Sequence, residues 1–294
     1  TLWPKKPKLI WTSNSDMNDE YFKAYAAEKK VNGSHLVLGQ HGGHYGIGLF
    51  DSNEAHQLKI SDSFLSWGWK DINISKVKPV GSLIQRSNNI KFYNNKSLVM
   101  TTLGAPRFSF RLLSMPIAGQ WLKYQKNLYT FCDLLKKEMI QDLIVRNDPS
   151  DFGWNQKYRW VDYNPSIKLD NGTRSIHKLF NKCRISIHTY NATTYLESLS
   201  LNIPTVIFWD PYYFEMRTSA EPYFDILENV GVYHKSPEAA ALHINKIYKN
   251  VKEWWFDKET RSAVKLFCDN YANNSTNLSN SLYNTFSNLP EMLA

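Results

Sequence analysis

Short apolar runs separated by stretches with helical spacing set the rhythm of this chain. An apolar run over 8–13 reads as a strand, a helical pattern follows over 18–30, and His35-Leu36-Val37-Leu38-Gly39 reads as the next strand, so the chain opens on a βαβ unit. That second strand runs into Gln40-His41-Gly42-Gly43-His44-Tyr45-Gly46, a glycine-rich turn at the carboxyl end of a parallel strand, where open α/β sheets hold ligands. A short helix over 53–58 leads through Ile60-Ser61-Asp62 to an aromatic strand over 64–69. The polar, turn-rich stretch 87–96 predicts a domain boundary. Beyond it, strands at 97–102, 142–146, 184–188, 204–209 and 231–233 alternate with helices at 117–139, 173–182, 193–201, 218–229 and 236–250. One or two helices over 258–289 close the chain. Strands alternating with helices predict mostly parallel sheets with right-handed crossovers. The expected architecture is α/β, with two Rossmann-like lobes over 1–95 and 96–257 and C-terminal helices over 258–294. The first lobe is expected to be short or incomplete, and the opening at Thr1 reads as a piece of a longer chain with sequence missing upstream.

Composition narrows the possibilities. At 43% hydrophobic and 21% charged, the 294 residues are far from a disordered profile. The three cysteines, Cys132, Cys183 and Cys268, are widely spaced and lack a CxxC pair, which argues against a disulfide framework or zinc ribbon and for a reducing, cytoplasmic setting. Thirty-five Lys+Arg against 27 Asp+Glu leave a net charge of +8, which favours an anionic ligand or surface. The basic residues are scattered and no nucleic-acid module is recognisable, so nucleic acid is not the expected partner. No apolar run reaches membrane-spanning length.

Three constellations carry chemistry. Ile185-Ser186-Ile187-His188 runs into Asn191-Ala192-Thr193-Thr194 and a helix that holds Glu197. Backbone N–H groups and the dipole at such a helix start bind phosphate, Thr193 and Thr194 add hydroxyls, and Glu197 one turn in can accept from ribose hydroxyls. The plainer reading makes Thr193 an N-cap. In the glycine-rich turn, His41 and His44 can exchange protons near neutral pH, Gly42 and Gly43 let a substrate approach the backbone, and Glu54, His56 and Asp62 follow closely, the carboxylates as nucleophile or base. The spacing fits no helical zinc motif, so no metal is expected there. Arg146, at a strand end before Asn147-Asp148-Pro149, can pair with a phosphate or sugar carboxylate, or with Asp148. Trp154, Trp160 and Tyr163 can stack on a base or sugar, or fill the core. The chain has no Asp-x-Asp triplet, no Gly-x-x-x-x-Gly-Lys-Ser/Thr and no Gly-x-Gly-x-x-Gly, which argues against metal-bridged diphosphate, P-loop and dinucleotide sites.

Taken together, Gln40–Gly46, Glu54-x-His56, Ile60-Ser61-Asp62, Trp67-Gly68-Trp69, Arg146, Asp151-Phe152-Gly153-Trp154, Asn191–Glu197 and Asn202-Ile203-Pro204 resemble the bacterial surface-polysaccharide transferases that include the retaining β-Kdo transferase domain of O-antigen synthases. The resemblance spans about residues 8–260. It implies a modified GT-B fold and transfer of Kdo from CMP-β-Kdo to a lipid-linked or oligosaccharide acceptor. It further implies retention through a covalent sugar adduct on a carboxylate, Asp62 first and Glu54 second, with His41 or His56 handling protons. Gly42, Gly43, His44, Arg146, Asn191, Thr193, Thr194 and Glu197 are the implied donor-binding set, with no metal or other cofactor. Asn147-Asp148 and Asn191-Ala192 depart from the family's pattern. A second resemblance, to CDP-glycerol or CDP-ribitol polyol-phosphate transferases of teichoic acid synthesis, shares the His-Gly turn and hydroxyl-rich helix start. A non-catalytic sugar-binding domain is the alternative from another class. The net charge and the implied lipid-linked acceptor together suggest peripheral contact with the inner membrane.

Overall fold

The computed structural model describes residues 3–83, 97–109, 112–274 and 277–288, so the expected boundary over 87–96 lies outside the described residues. The chain divides into two compact units, one of Thr1–Gly46, Asp51–Arg86 and Cys268–Ala294, the other of Ile47–Phe50 and Ser87–Phe267.

In the first unit, β1 (Leu9–Thr12), β2 (His35–Gly39), β3 (Ser63–Ser66) and β4 (Val77–Pro79) pair in that order as an all-parallel sheet. Every residue of β2 and β3 is buried, as befits strands covered on both faces. The helices are set by their caps. Asp19 accepts from the Phe22 amide at the start of Glu20–Val31, and Asp51 accepts from the Asn53 and Glu54 amides at the start of Ser52–Ile60. Of the C-terminal residues expected as a separate helical end over 258–294, those from Cys268 on return to this unit, and those before it stay with the second unit. The Asn273 amide donates to the Trp67 carbonyl, its own carbonyl accepts from Ser82, and Leu282 and Phe286 of the helix Leu278–Ser287 pack on Val37, Leu65 and Val80. The correction follows from burial, since without them part of this sheet's apolar face would meet water. Conversely, Ile47–Phe50 belongs to the second unit because its backbone pairs there: Gly48 bridges Met216, the Leu49 amide donates to Glu215 O and the Phe50 amide to Ser114 Oγ.

The second unit holds β5 (Ser97–Thr101), β6 (Leu143–Arg146), β7 (Lys168–Asp170), β8 (Cys183–His188), β9 (Thr205–Phe208) and β10 (Tyr233–His234). The sheet is parallel throughout, in the order β10-β9-β8-β5-β6-β7. The chain starts at the centre with β5, works outward through β6 and β7, then crosses back to build β8, β9 and β10 on the other side, which is the Rossmann strand order. The direction reverses between β5 and β8, and their carboxyl ends flank the crevice where such sheets bind ligands.

Where the sequence reading and the structure differ, a polar contact explains it. The expected helix over 117–139 breaks into Gln120–Leu134 and Lys137–Asp142, because Asn245 accepts from the Lys136 amide and donates to the Leu134 carbonyl. The expected helix over 173–182 shrinks to His177–Phe180, since side chains of Asp170 and Asn171 hold the preceding residues in turns. An unforeseen helix, Gln156–Tyr163, starts where the Asp151 carboxylate accepts from the Asn155 and Gln156 amides. Trp154 and Trp160 are core residues, with Trp154 stacked on Trp121 at 4.4 Å, while Tyr163 stacks on Tyr129 at 4.1 Å.

Candidate functional site

In the first unit the carboxyl edge of the sheet is organised by Gln40, a residue to which sequence reasoning assigned no role. It is buried immediately after β2. Its Oε1 accepts from the Trp67 amide (3.0 Å) and Trp69 Nε1 (2.9 Å), its carbonyl accepts from Trp67 Nε1 (3.1 Å), and its Nε2 donates to Gly42 O (2.8 Å). One amide therefore ties the glycine-rich turn to the Trp67-Gly68-Trp69 segment. The available signal was a polar residue at the end of an apolar strand with two tryptophans downstream. Gly46 closes the turn at φ +71°, and a Cβ there would lie 2.5 Å from the Trp69 ring, so the position requires glycine.

Glu54 comes to this same edge. It is fully buried in the first turn of Ser52–Ile60, and its Oε2 accepts from the Gly46 amide at 2.9 Å. His41 is half-buried, with Nδ1 3.3 Å from the Tyr45 hydroxyl and its ring edge-on to Tyr45. His44 is buried in the left-handed region at φ +83°. The turn thus gathers His41, Gly42, Gly43, His44 and Glu54.

It does not gather Asp62 or His56. Asp62 precedes β3 at the amino edge of the sheet, opposite the glycine-rich turn. Its Oδ1 pairs with Lys30 and its Oδ2 accepts from the Leu36 amide at 2.8 Å, while its own amide donates to Leu36 O. Partial burial opposes its ionisation, but the Lys30 and Leu36 hydrogen bonds and the Lys30 and His35 charges outweigh that and hold its carboxyl below the usual range. The first-choice nucleophile is thereby corrected to a structural acid that joins the starts of β2 and β3. His56 lies two residues from Glu54 on a helix, about 200° around the axis, and is exposed. Its expected role at the turn is corrected by that rotation.

In the second unit, the switch point is built from the carboxyl ends of β5, β6 and β8. Thr102 Oγ1 donates to Asn147 Oδ1 (3.0 Å), and Thr189 Oγ1 donates to Thr101 O (2.8 Å). The Tyr124 hydroxyl, from the helix Gln120–Leu134, accepts from the Leu103 amide (2.7 Å) and lies 2.5 Å from Thr189 Oγ1. Gly104 packs so closely that a Cβ would lie 2.4 Å from the Asp148 side chain. Two loops therefore meet at van der Waals distance beside the crevice.

The helix Thr193–Ser200 starts at this crevice with Ala192 at its N-cap, whose methyl side chain offers no capping oxygen. Thr193 and Thr194 are half-buried there, with Thr194 Oγ1 3.3 Å from the Tyr190 hydroxyl, and Asn191 Oδ1 accepts from Tyr195. Glu197 Oε2 is 3.7 Å from His177 Nε2. A buried network sequence reasoning missed anchors the helix: His188 Nε2 lies 2.8 Å from Ser186 Oγ and 2.9 Å from Ser198 Oγ, and its Nδ1 lies 2.9 Å from Thr101 Oγ1. Burial pushes the His188 pKa down to about 3, so the ring is neutral. Ser186 and His188, alternate residues of one strand and hence on one face, were the signal.

Arg146 serves structure. Its guanidinium donates to Asp170 Oδ1 (2.9 Å), Gly172 O (3.0 Å) and Arg174 O (2.5 Å), so its expected pairing with donor or Asp148 is replaced by a clamp on the loop after β7. That loop and the end of β6 border a cavity of about 480 Å³, lined by Asn147, Pro149, Leu169, Asn171, Thr173 and Gln156 among others. Gln156 is only 2% exposed, and neither its Oε1 nor its Nε2 has a hydrogen-bond partner. Among the described residues, no three His, Cys, Asp or Glu side chains gather as shared metal ligands.

The class defined by this fold is the GT-B type, with two Rossmann-like parallel sheets. The chain belongs to the LIC12162 family of transferases, whose model matches residues 1–286. A glycosyltransferase from Rickettsia africae ESF-5 is similar in fold, with a TM-score of 0.55 at 13% identity over 97% of this chain and 77% of that one. An E. coli structure described as trehalose-6-phosphate bound with UDP-2-fluoro glucose gives a TM-score of 0.52 at 11% identity over 97% and 74%. A search of curated proteins returned no match.

Proposed function

We propose that this transferase moves a sugar from a nucleotide-activated donor to a glycan acceptor, with the donor held on the second unit. The phosphates lie at the start of Thr193–Ser200, the ribose near Glu197, and the base in the cavity beside β6 and β7. The observation that carries this reading is the switch point: a helix start with Ala192 at the N-cap and Thr193 and Thr194 in its first turn sits where the Rossmann order reverses. The cavity lies two to three strands away, roughly 10–15 Å at ordinary strand spacing, which suits a nucleoside reaching from its phosphate. The net charge of +8 favours such an anionic donor.

The specific form of the reading is Kdo transfer from CMP-β-Kdo to a lipid-linked or oligosaccharide acceptor in the cytoplasm, with retention, independent of a metal. The sequence resemblance supports it. The carboxylate to examine for a sugar adduct is Glu54, because the Gly46 amide aims it at the histidine-bearing turn whereas Asp62 is committed to Lys30 on the other edge.

Thermal unfolding with CMP, CDP and UDP tests the donor class, since a ligand at a hundred times its Kd adds about 2.7 kcal/mol of stability. CMP is expected to raise Tm most. A lost hydrogen bond to a charged phosphate costs about 1.5–3 kcal/mol, so Thr194→Val is expected to weaken CMP binding about tenfold or more. Unchanged affinity in both Thr193→Val and Thr194→Val overturns the placement. For the carboxylate, a sugar-sized mass increase on the peptide containing Glu54 after incubation with CMP-Kdo is the expected result, and one on the peptide containing Asp62 reverses the assignment.

A further inference from the structure

The second unit carries a groove of about 370 Å³, of mixed apolar and polar lining, that the donor reading does not use. Phe50, Leu112, Met115, Ile117, Tyr212 and Tyr213 line it, and several of them face water: Leu112 is 62% exposed, Tyr212 76% and Phe50 50%, with Leu49 beside them at 54%. Large side chains clustered this way on a water-facing surface mark an interaction site. The helix Gln120–Leu134 borders the groove through Gln120, and one and two turns further along it presents the exposed Lys123 and Lys126. Lys123 Nζ lies 5.9 Å from the centre of the Tyr213 ring, so a cation sits directly at the rim. Among the described lining residues Glu215 is the one acid, and its carboxylate accepts from Ser114 Oγ at 3.5 Å.

We propose that this surface docks on an anionic lipid bilayer, with Leu112, Ile117 and Phe50 entering the acyl boundary, Tyr212 and Tyr213 at headgroup level, and Lys123 and Lys126 on the phosphates. Aromatic residues with one apolar and one polar end favour the membrane interface, and lysines lay their methylene stems along apolar surface while the ammonium stays with charge. Charge complementarity selects this occupant over a second copy of the chain, which would bring two bodies of net charge +8 together. No helix of the described residues is long and apolar enough to cross a membrane, so the contact is one that lies on the bilayer. The inference stands apart from the donor assignment, because nucleotide binding is measured without lipid.

Co-sedimentation of the full chain tests it, with vesicles of phosphatidylcholine alone and of an equal mixture with phosphatidylglycerol, at low and high salt. Binding is expected to the mixed vesicles, to weaken with salt, and to fall in both Leu112→Ser/Tyr212→Ser and Lys123→Glu/Lys126→Glu. Each well-placed cation contributes roughly a fivefold factor in partitioning, so the charge variant is expected to lose at least about 25-fold. Retention of the wild-type melting transition shows that the variants fold. No sedimentation above that with neutral vesicles, or wild-type sedimentation by both double variants, overturns the proposal. Sedimentation velocity showing a wild-type dimer that Leu112→Ser/Tyr212→Ser dissociates would instead assign the groove to a second copy.

Discussion

Asp62 and Glu54 show how much a single residue's environment decides. Both are carboxylates near the same turn in sequence, yet Asp62 closes a contact between the amino ends of two strands, and Glu54 holds the glycine-rich turn at their carboxyl ends. Asp62→Asn is therefore expected to keep near-normal turnover while losing acid-dependent stability. Because the folded carboxyl titrates below its ordinary 3.8, its contribution is complete above that value and disappears as pH falls through the lower one. Urea midpoints should thus separate wild type from Asp62→Asn at pH 7, by a difference that narrows as pH falls below 3.8. A large loss of turnover with an unchanged midpoint would return Asp62 to the catalytic role.

At the scale of the element, the helix Thr193–Ser200 is held in register by His188 rather than by its own propensity. Neutral His188 contacts Ser186 on its own strand and Ser198 in the second half of the helix, so strand and helix are fixed to one another. Its folded pKa of about 3 lies below the ordinary 6.5, so the unfolded chain binds a proton first on acidification and stability falls from about pH 6.5 downward. For this fully buried ring, the His188-specific loss between pH 7 and pH 5 is about 2 kcal/mol. His188→Gln is expected to be less stable than wild type at pH 7, with a gap that narrows by about that amount at pH 5. A gap independent of pH would show that His188 titrates normally. The helix was legible from its apolar spacing, and the Ser186 and His188 face from its alternation; the rest of the network was not, because Ser198 lies on the helix and only strand pairing brings Thr101 beside His188.

For the whole molecule, the C-terminal helix is part of the first unit's core rather than an appendage of the second. Phe286 and Leu282 cover Val37, Leu65 and Val80, and Phe286 also meets the Trp11 ring at 5.5 Å. Phe286→Ala should destabilise by about 1–3 kcal/mol, the range for partial loss of a large apolar side chain. Hydrogen exchange is expected to rise in β1–β3 and stay unchanged in β5–β9. Uniform acceleration across both sheets would contradict this division.

The local pattern of the chain by itself determined the alternation of strands and helices, apart from the short edge strands Val77–Pro79 and Lys168–Asp170, the mostly parallel character of the sheets, the glycine-rich turn and the helix start at Thr193, because burial, periodicity and backbone freedom act over a few neighbouring residues. Only the tertiary structure decided which alternative each polar residue takes. Arg146 reached Asp170 and the loop beyond rather than Asp148, Gln156 was buried beside a cavity, His56 turned outward, and the last helix crossed back to the first sheet. The physical reason is that charges and hydrogen bonds are settled by what lies within about 3–4 Å in space, and strand order and the burial of apolar faces set that distance.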